Sequence, residues 1–152
     1  MDFAVARRNM VECQLRTNKI TNNRLLDAMQ ELPREEFVPN AVKTLAYIDE
    51  DVQIADGRYI MEPMVVARMI QDAKVQSGDS VLVVGAGSGY LAAVAGKLAA
   101  SVFALEEDAE LAEQAGSLLT GMAMDNVVVV EGAAPAGLAE QAPFNVILID
   151  GS

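Results

Sequence analysis

Three glycines at every second position, Gly85, Gly87 and Gly89, follow the apolar run Ser80-Val81-Leu82-Val83-Val84 and precede a segment of helix formers, Leu91 to Ala100. A short apolar run of this kind is a buried strand. The glycines permit the positive φ angles of a tight turn, and a helix start beyond them brings backbone N–H groups close to a polar ligand. Strand, turn and helix in this order constrain what the rest of the chain can be. Further apolar runs at 101–105, 126–131 and 144–149 alternate with helical segments at about 90–99 and 108–120, with a short one near 134–140. Such alternation builds a parallel sheet through right-handed crossovers, so the fold class is α/β.

The preceding residues have a different character. Residues 3–17 predict a helix with Phe3, Met10, Val11 and Leu15 on its buried stripe. Thr21 is the expected N-cap of a second helix, Asn22 to Glu31, which Leu32-Pro33 ends. The proline-bracketed Pro33-Arg34-Glu35-Glu36-Phe37-Val38-Pro39 reads as a turn, and Asn40 as the cap of a short helix, Ala41 to Tyr47. Ile48 to Ile60, which contains Asp56-Gly57, reads as loop with at most a short extended piece. Glu62-Pro63 then opens a helix whose inward side is Val65, Val66, Met69 and Ile70. The expected organisation is one structural domain, with residues 1–75 as a helical cap and 76–152 as a Rossmann-like cofactor-binding half. The last strand, Val146-Ile147-Leu148-Ile149, would leave an apolar edge that invites pairing. The expectation is an incomplete sheet, continued in a longer chain or covered by a second copy in a homo-oligomer.

Composition excludes several classes of function. The 152 residues contain no histidine, which removes His-dependent triads, HExxH metal sites and imidazole general bases. The single cysteine, Cys13, allows no disulfide framework and no cysteine-based zinc site, and is expected as a small buried hydrophobe. No metal site is expected. A net charge of −11 argues against nucleic acid as a partner. The first 30 residues hold five basic and three acidic side chains, the remainder six and nineteen, so the basic start is read as a solvated helix. With no signal-like start and no run long enough to span a bilayer, the reading is cytoplasmic, with no membrane association.

The glycine pattern itself is GxGxG. The dinucleotide fingerprint GxGxxG would need glycine at position 90, where Tyr90 stands, and this disfavours a nicotinamide-dependent oxidoreductase. An acidic residue about 20 positions on, at the end of the next strand, is expected to hold ribose hydroxyls. Glu106 stands there, with Glu107 and Asp108 beside it. Asp150, at the C-terminal end of the fourth strand, lies on the side where open α/β sheets bind ligands; it reads equally as functional or as a turn residue with Gly151. Met61, Met64 and Met69 are read as gap-filling core and Arg58 as a solvated loop residue, with a pocket lining and a substrate-carboxylate contact as the respective alternatives.

Pro33-Arg34-Glu35-Glu36-Phe37-Val38-Pro39, then Gly57, Ile60, Pro63, Val66, Ala67 and Met69, then Val81-Leu82 with Gly85-Ala86-Gly87-Ser88-Gly89-Tyr90, and finally Ala142-Pro143-Phe144 carry a resemblance over nearly the whole chain. In this order they resemble the protein-L-isoaspartate O-methyltransferase family. The resemblance implies a Rossmann-like methyltransferase sheet and S-adenosyl-L-methionine as cofactor. It also implies methyl transfer to the carboxyl group of isoaspartyl residues in damaged proteins. Carried over by position, Gly85, Ala86, Gly87, Ser88, Gly89, Tyr90, Glu106, Glu107, Gly132 and Ala133 would hold the cofactor, and Arg58, Tyr59, Ile60, Met61 and Glu62 would face the substrate. The chain departs from the family pattern where Met61 takes the place of an active-site serine, so no catalytic residue is assigned. Glu62 adds charge beside it, Val83 and Ala133 replace carboxylates near the cofactor, and Asn145 replaces an aspartate. These departures keep open an alternative from another class: a non-catalytic, methyltransferase-like binding or assembly module.

Overall fold

The computed structural model describes residues 1–151. In element order, α1 (Phe3–Asn9) runs on through π-helical turns over Met10–Leu15 and is followed by α2 (Asn23–Glu31), two 3-10 segments at Arg34–Phe37 and Asn40–Leu45, β1 (Val52–Ala55), β2 (Arg58–Ile60) and α3 (Pro63–Ala73). Then come β3 (Ser80–Val84), α4 (Tyr90–Leu98), β4 (Ser101–Glu106), α5 (Ala109–Gly121) and β5 (Val127–Glu131), two 3-10 turns at Ala134–Ala136 and Ala139–Gln141 where a short helix was expected near 134–140, and β6 (Val146–Ile149). The four later strands form one parallel sheet in the order β5-β4-β3-β6. Because β4 and β5 are added on one side of β3 and β6 on the other, the order reverses between β3 and β6. That reversal opens a crevice at the carboxyl ends of these two strands.

Local chemistry explains where the elements start. Asn22, rather than Thr21, caps α2, its side chain accepting from the Leu25 N–H at 3.2 Å. Asp2 caps α1 in the same way through Ala4 and Val5. Pro63 takes the first position of α3, where its missing N–H has no cost. Of the expected inward side of α3, Val66 and Ile70 are buried and Val65 and Met69 only partly so. The short helix expected at 41–47 is a 3-10 segment shifted to Asn40–Leu45.

Residues 52–60 form a hairpin instead of loop. The two-residue Asp56-Gly57 turn, with Gly57 at φ +66°, is a strong hairpin signal between two half-apolar runs. Cys13 is exposed, because the π-helical turns direct Met10, Val11 and Leu15 inward and leave position 13 outside.

One cluster of buried side chains joins the early helices to the sheet: Met10, Leu25, Met29 and Phe37 pack with Val66, Ile70, Val81, Val83 and Leu91. On β6 the period of two places Leu148 inward and leaves Ile147 and Ile149 at 59% and 64% exposure. Asn145 joins this strand to β3: its backbone N–H donates to the Ser80 carbonyl and its side-chain oxygen accepts from the Ser80 N–H, both at 2.8 Å.

Two helical glycines make opposite demands. A Cβ on Gly96 in α4 would stand 2.5 Å from the Val127 Cγ2 methyl, whereas one on Gly116 in α5 would meet nothing closer than 3.9 Å. Gly96→Ala is therefore expected to lower stability by ~1–2 kcal/mol, as overpacking outweighs the helix-propensity gain. Gly116→Ala should raise it by ~0.5–1 kcal/mol. Urea unfolding midpoints of the two variants would move in opposite directions.

Candidate functional site

The crevice at the switch between β3 and β6 has a volume of about 650 Å³. Gly85 and Asp150 form its floor, and the hairpin and the start of α3 form its wall through Arg58, Tyr59, Met61, Glu62 and Val65. A Cβ on Gly85 would lie 2.9 Å from the Asp150 carbonyl oxygen, so only glycine lets the two strand ends meet here. Gly85, Gly87 and Gly89 have φ of +74°, +57° and +91°, a succession that side chains rarely adopt.

The N–H groups of this turn are largely committed within the protein. Those of Gly85 and Ala86 donate to the Leu105 carbonyl at 2.9 and 3.0 Å, and that of Gly89 donates to the Ala86 carbonyl at 2.9 Å. The Gly87 N–H donates to Glu106 Oε2 at 2.6 Å. The turn thus serves a ligand by close approach of its backbone more than by a fan of free donors.

Glu106 ends β4 with its side chain fully buried. Besides Gly87, it accepts from the Asp108 N–H at 3.0 Å and from both terminal nitrogens of Arg58 at 2.8 and 2.7 Å. Burial pushes its carboxyl pKa up, but these hydrogen bonds outweigh burial and leave it below the usual range, so Glu106 is ionised. Arg58, expected in solvent with a substrate carboxylate as the alternative, instead spends its guanidinium on Glu106. The hairpin register is the reason, since it hangs β2 over the end of β4.

Other positions also differ from expectation. Ile60 turns inward at 5% exposure, because the strand alternation that points Tyr59 out points Ile60 in. Tyr90 does not line the crevice with its side chain. It is buried at 1%, with the Phe37 ring edge-on at 5.2 Å and the Arg34 guanidinium 4.7 Å from its centroid. Glu107 and Ala133 are exposed, Ser88 and Gly132 partly buried, and the Gly132 N–H donates to the Glu106 carbonyl at 3.0 Å. Val83 is sealed in the strand at 0%. Met61 and Glu62 both line the crevice. The Met61 carbonyl accepts from buried Arg34 at 2.7 Å, and the Glu62 N–H donates to Asp51 Oδ1 at 2.8 Å.

A second cavity of about 420 Å³ lies where the glycine turn meets α5, lined by Phe37, Val38, Ile54, Ser88, Leu111 and Ala115 among others. Of the residues assigned to the cofactor from the sequence, Ser88 lies here and not in the crevice; the α5 residues Leu111, Ala115 and Leu118 were not assigned, although their apolar spacing was a visible sign. Among the described residues no group of three or more His, Cys, Asp or Glu side chains is placed to hold a metal ion. No helix among them is long and apolar enough to cross a membrane.

Asp150 is pushed up to about 7 by burial first, with Glu106 adding to the rise and Arg58 opposing it. A carboxyl group raised from its ordinary 3.8 in the folded state costs stability once the unfolded chain ionises. The cost is absent below pH ~4, grows as pH rises toward ~7 and is constant above that. Asp150→Asn should therefore be more stable than the parent at pH 8, on the order of a few kcal/mol, with the difference vanishing near pH 4. Chemical denaturation at the two pH values measures it.

The residues fit an adenosyl-type cofactor, since Gly85 gives the crevice a floor without a side chain, and the ionised Glu106 lies directly behind Arg58, the crevice residue that covers both its oxygens. The comparisons agree with this geometry. The family model Protein-L-isoaspartate(D-aspartate) O-methyltransferase (PCMT) matches residues 6–152. The protein-L-isoaspartate O-methyltransferase of Koribacter versatilis is 45% identical over 97% of this chain and 66% of its own length. The one of Roseiflexus castenholzii is 41% identical over 98% of this chain and 68% of its own length. A solved protein-L-isoaspartate O-methyltransferase superposes with a TM-score of 0.85 at 25% identity, covering 94% of this chain and 47% of that one. The chain thus spans about two thirds of the curated relatives and about half of the solved one. With the family model matched from residue 6 to residue 152, the chain belongs to the protein-L-isoaspartate O-methyltransferase family.

Proposed function

We propose that the chain carries the cofactor-binding and acceptor-facing part of an S-adenosylmethionine-dependent methyltransferase that esterifies the carboxyl group of isoaspartyl residues in damaged proteins. The observation that carries the reading is the glycine floor at the strand switch, joined through the Gly87 N–H to the buried, ionised Glu106. In this reading the backbone of Gly85 to Gly89 lies against the methionine end of the cofactor, Glu106 receives the ribose hydroxyls, and Glu107, Gly132 and Ala133 border the adenine. The cofactor supplies a sulfonium methyl group. A carboxylate is already a competent nucleophile at neutral pH, so the work left to the protein is alignment and exclusion of water. That work needs no histidine, in accord with the composition.

Arg58 carries a condition. Its two hydrogen bonds occupy both Glu106 oxygens, so ribose hydroxyls displace at least one of them when they bind. The same pair, with Met61 and Glu62 facing the crevice, is what favours the second reading, a methyltransferase-like module that binds or assembles without transferring a methyl group. A cytoplasmic location and pairing of a second copy along β6, where Ile147 and Ile149 are exposed, belong to the same proposal.

Titration calorimetry with S-adenosylmethionine and with its demethylated product is expected to give saturable binding of both. Labelled methyl transfer is expected to an isoaspartyl peptide and not to its aspartyl counterpart. Met61→Ser, which restores a hydroxyl beside the acceptor, should raise turnover several-fold. Absence of heat with either cofactor form would end the enzyme reading; cofactor binding without methyl transfer, in the parent and in Met61→Ser, would favour the binding module.

A further inference from the structure

Asp150 is the crevice side chain that neither the fold nor the cofactor reading uses. Its backbone is fixed from both sides: the N–H donates to the Val84 carbonyl at 2.8 Å, and the carbonyl presses on Gly85. The carboxyl group therefore projects from a fixed point at the carboxyl end of β6 into the crevice shared with Tyr59, Met61, Glu62 and Val65. Among the described residues no donor hydrogen-bonds it. Each charged neighbour is either committed or of the same sign. Arg58 on β2 is bound to Glu106 at the end of β4. Arg34 donates to the Ala46 and Met61 carbonyls at 2.6 and 2.7 Å and leaves one terminal nitrogen without a partner among the described residues, but it is fully buried behind the wall and does not line the crevice. Glu50, Asp51 and Glu62, on the hairpin side, are acidic.

An anionic acceptor entering this crevice finds no unpaired cation among the residues that line it. It needs a neutral donor, and Tyr59, which is half exposed on the wall, is not held at the floor. We propose that Asp150 binds the acceptor in its protonated form, donating its O–H to one oxygen of the isoaspartyl carboxylate and leaving the other oxygen free to receive the methyl group. This rests on the acceptor assigned under the proposed function. Burial at the strand end, beside Glu106, keeps the carboxyl group neutral up to a pH of about 7, so the donor is present at and below neutrality. Ionisation replaces that donor with a like charge 1:1, and the interaction turns from attraction to repulsion.

The test is equilibrium binding of an isoaspartyl peptide to the full-length protein held with S-adenosylhomocysteine, from pH 6 to 8.5, beside the matching aspartyl peptide. The parent should lose affinity by up to about tenfold per pH unit above 7. Asp150→Asn, whose amide donates without titrating, should bind with an affinity that does not change across the range. Asp150→Ala should be at least tenfold weaker than Asp150→Asn at pH 6, and its thermal unfolding at that pH checks that it is folded. Parent binding that is flat with pH, or equal binding by the Ala and Asn variants, overturns the role of Asp150 while leaving the acceptor intact. No preference for the isoaspartyl peptide at any pH, in parent or Asn variant, overturns the acceptor assignment and this role with it.

Discussion

A carboxylate with no exposure has to be satisfied from within, and the way Glu106 is satisfied fixes the centre of this molecule. Its acceptors draw in the Gly87 N–H from the turn after β3, the Asp108 N–H from the start of α5, and the Arg58 guanidinium from the hairpin. Two segments distant in sequence, the glycine turn and the hairpin, are thereby held to the end of one strand, beside the local cap from Asp108. The glycine turn gains its shape from this as much as from its own φ angles, since the Gly87 N–H is aimed at the carboxylate. Removing one partner of such a buried pair costs ~3–5 kcal/mol, more than most single contacts in a chain of this size contribute. The hairpin is tied to the sheet by a bond that a ligand's hydroxyls can compete for, which couples ligand entry to the position of the crevice wall.

The other wall is placed by a second buried charge. Arg34 sits at zero exposure, with burial pulling its guanidinium pKa down; the Ala46 and Met61 carbonyls take two of its donors, and the Tyr90 face lies 4.7 Å away. It connects the proline-bracketed turn to the residue that enters α3 and to the first residue of α4. Around it, Arg7 donates to Tyr47 at 2.8 Å and to Glu35 at 3.0 Å, while the Tyr47 hydroxyl donates to Glu35 and accepts from the Arg34 N–H. The basic start of the chain is thus partly structural, since Arg7 holds α1 to this turn. Met61 reaches the crevice because its carbonyl is held from behind.

The sheet was legible because its signals are local and redundant: four apolar runs, a glycine turn and intervening helical stretches each imply the others. The four strands lie within two residues of the expected bounds. What sequence reasoning missed depended on pairing across distance. Asp56-Gly57 was seen as a breaker when its flanks made it a hairpin turn. Without the hairpin, nothing placed Arg58 near Glu106, 48 positions away. Ile60 and Tyr90 were assigned to the site from motif position alone, and burial shows that a motif residue can serve the turn through packing while its backbone lies at the site. Cys13 was expected inside on composition, but a π-helical stretch shifts the inward face away from it.

The electrostatics of the crevice bear on how two ligands of opposite charge would share it. Glu50, Asp51 and Glu62 line it, beside an Asp150 that is neutral up to a pH of about 7, against Arg58 alone, and Arg58 is neutralised by Glu106. Burial and the neighbouring Asp49, Asp51 and Glu50 push the Glu62 carboxyl up as well, so the rim resists any further negative charge. A field of this sign favours a cationic ligand and opposes a lone carboxylate. In the proposed function the two bind in a preferred order, because the sulfonium charge offsets the field before the acceptor arrives. The acceptor's affinity then depends on whether the cofactor carries its charge. The neutral demethylated product leaves the carboxylate to the Asp150 donor alone, so this donor's contribution is easiest to resolve in that complex.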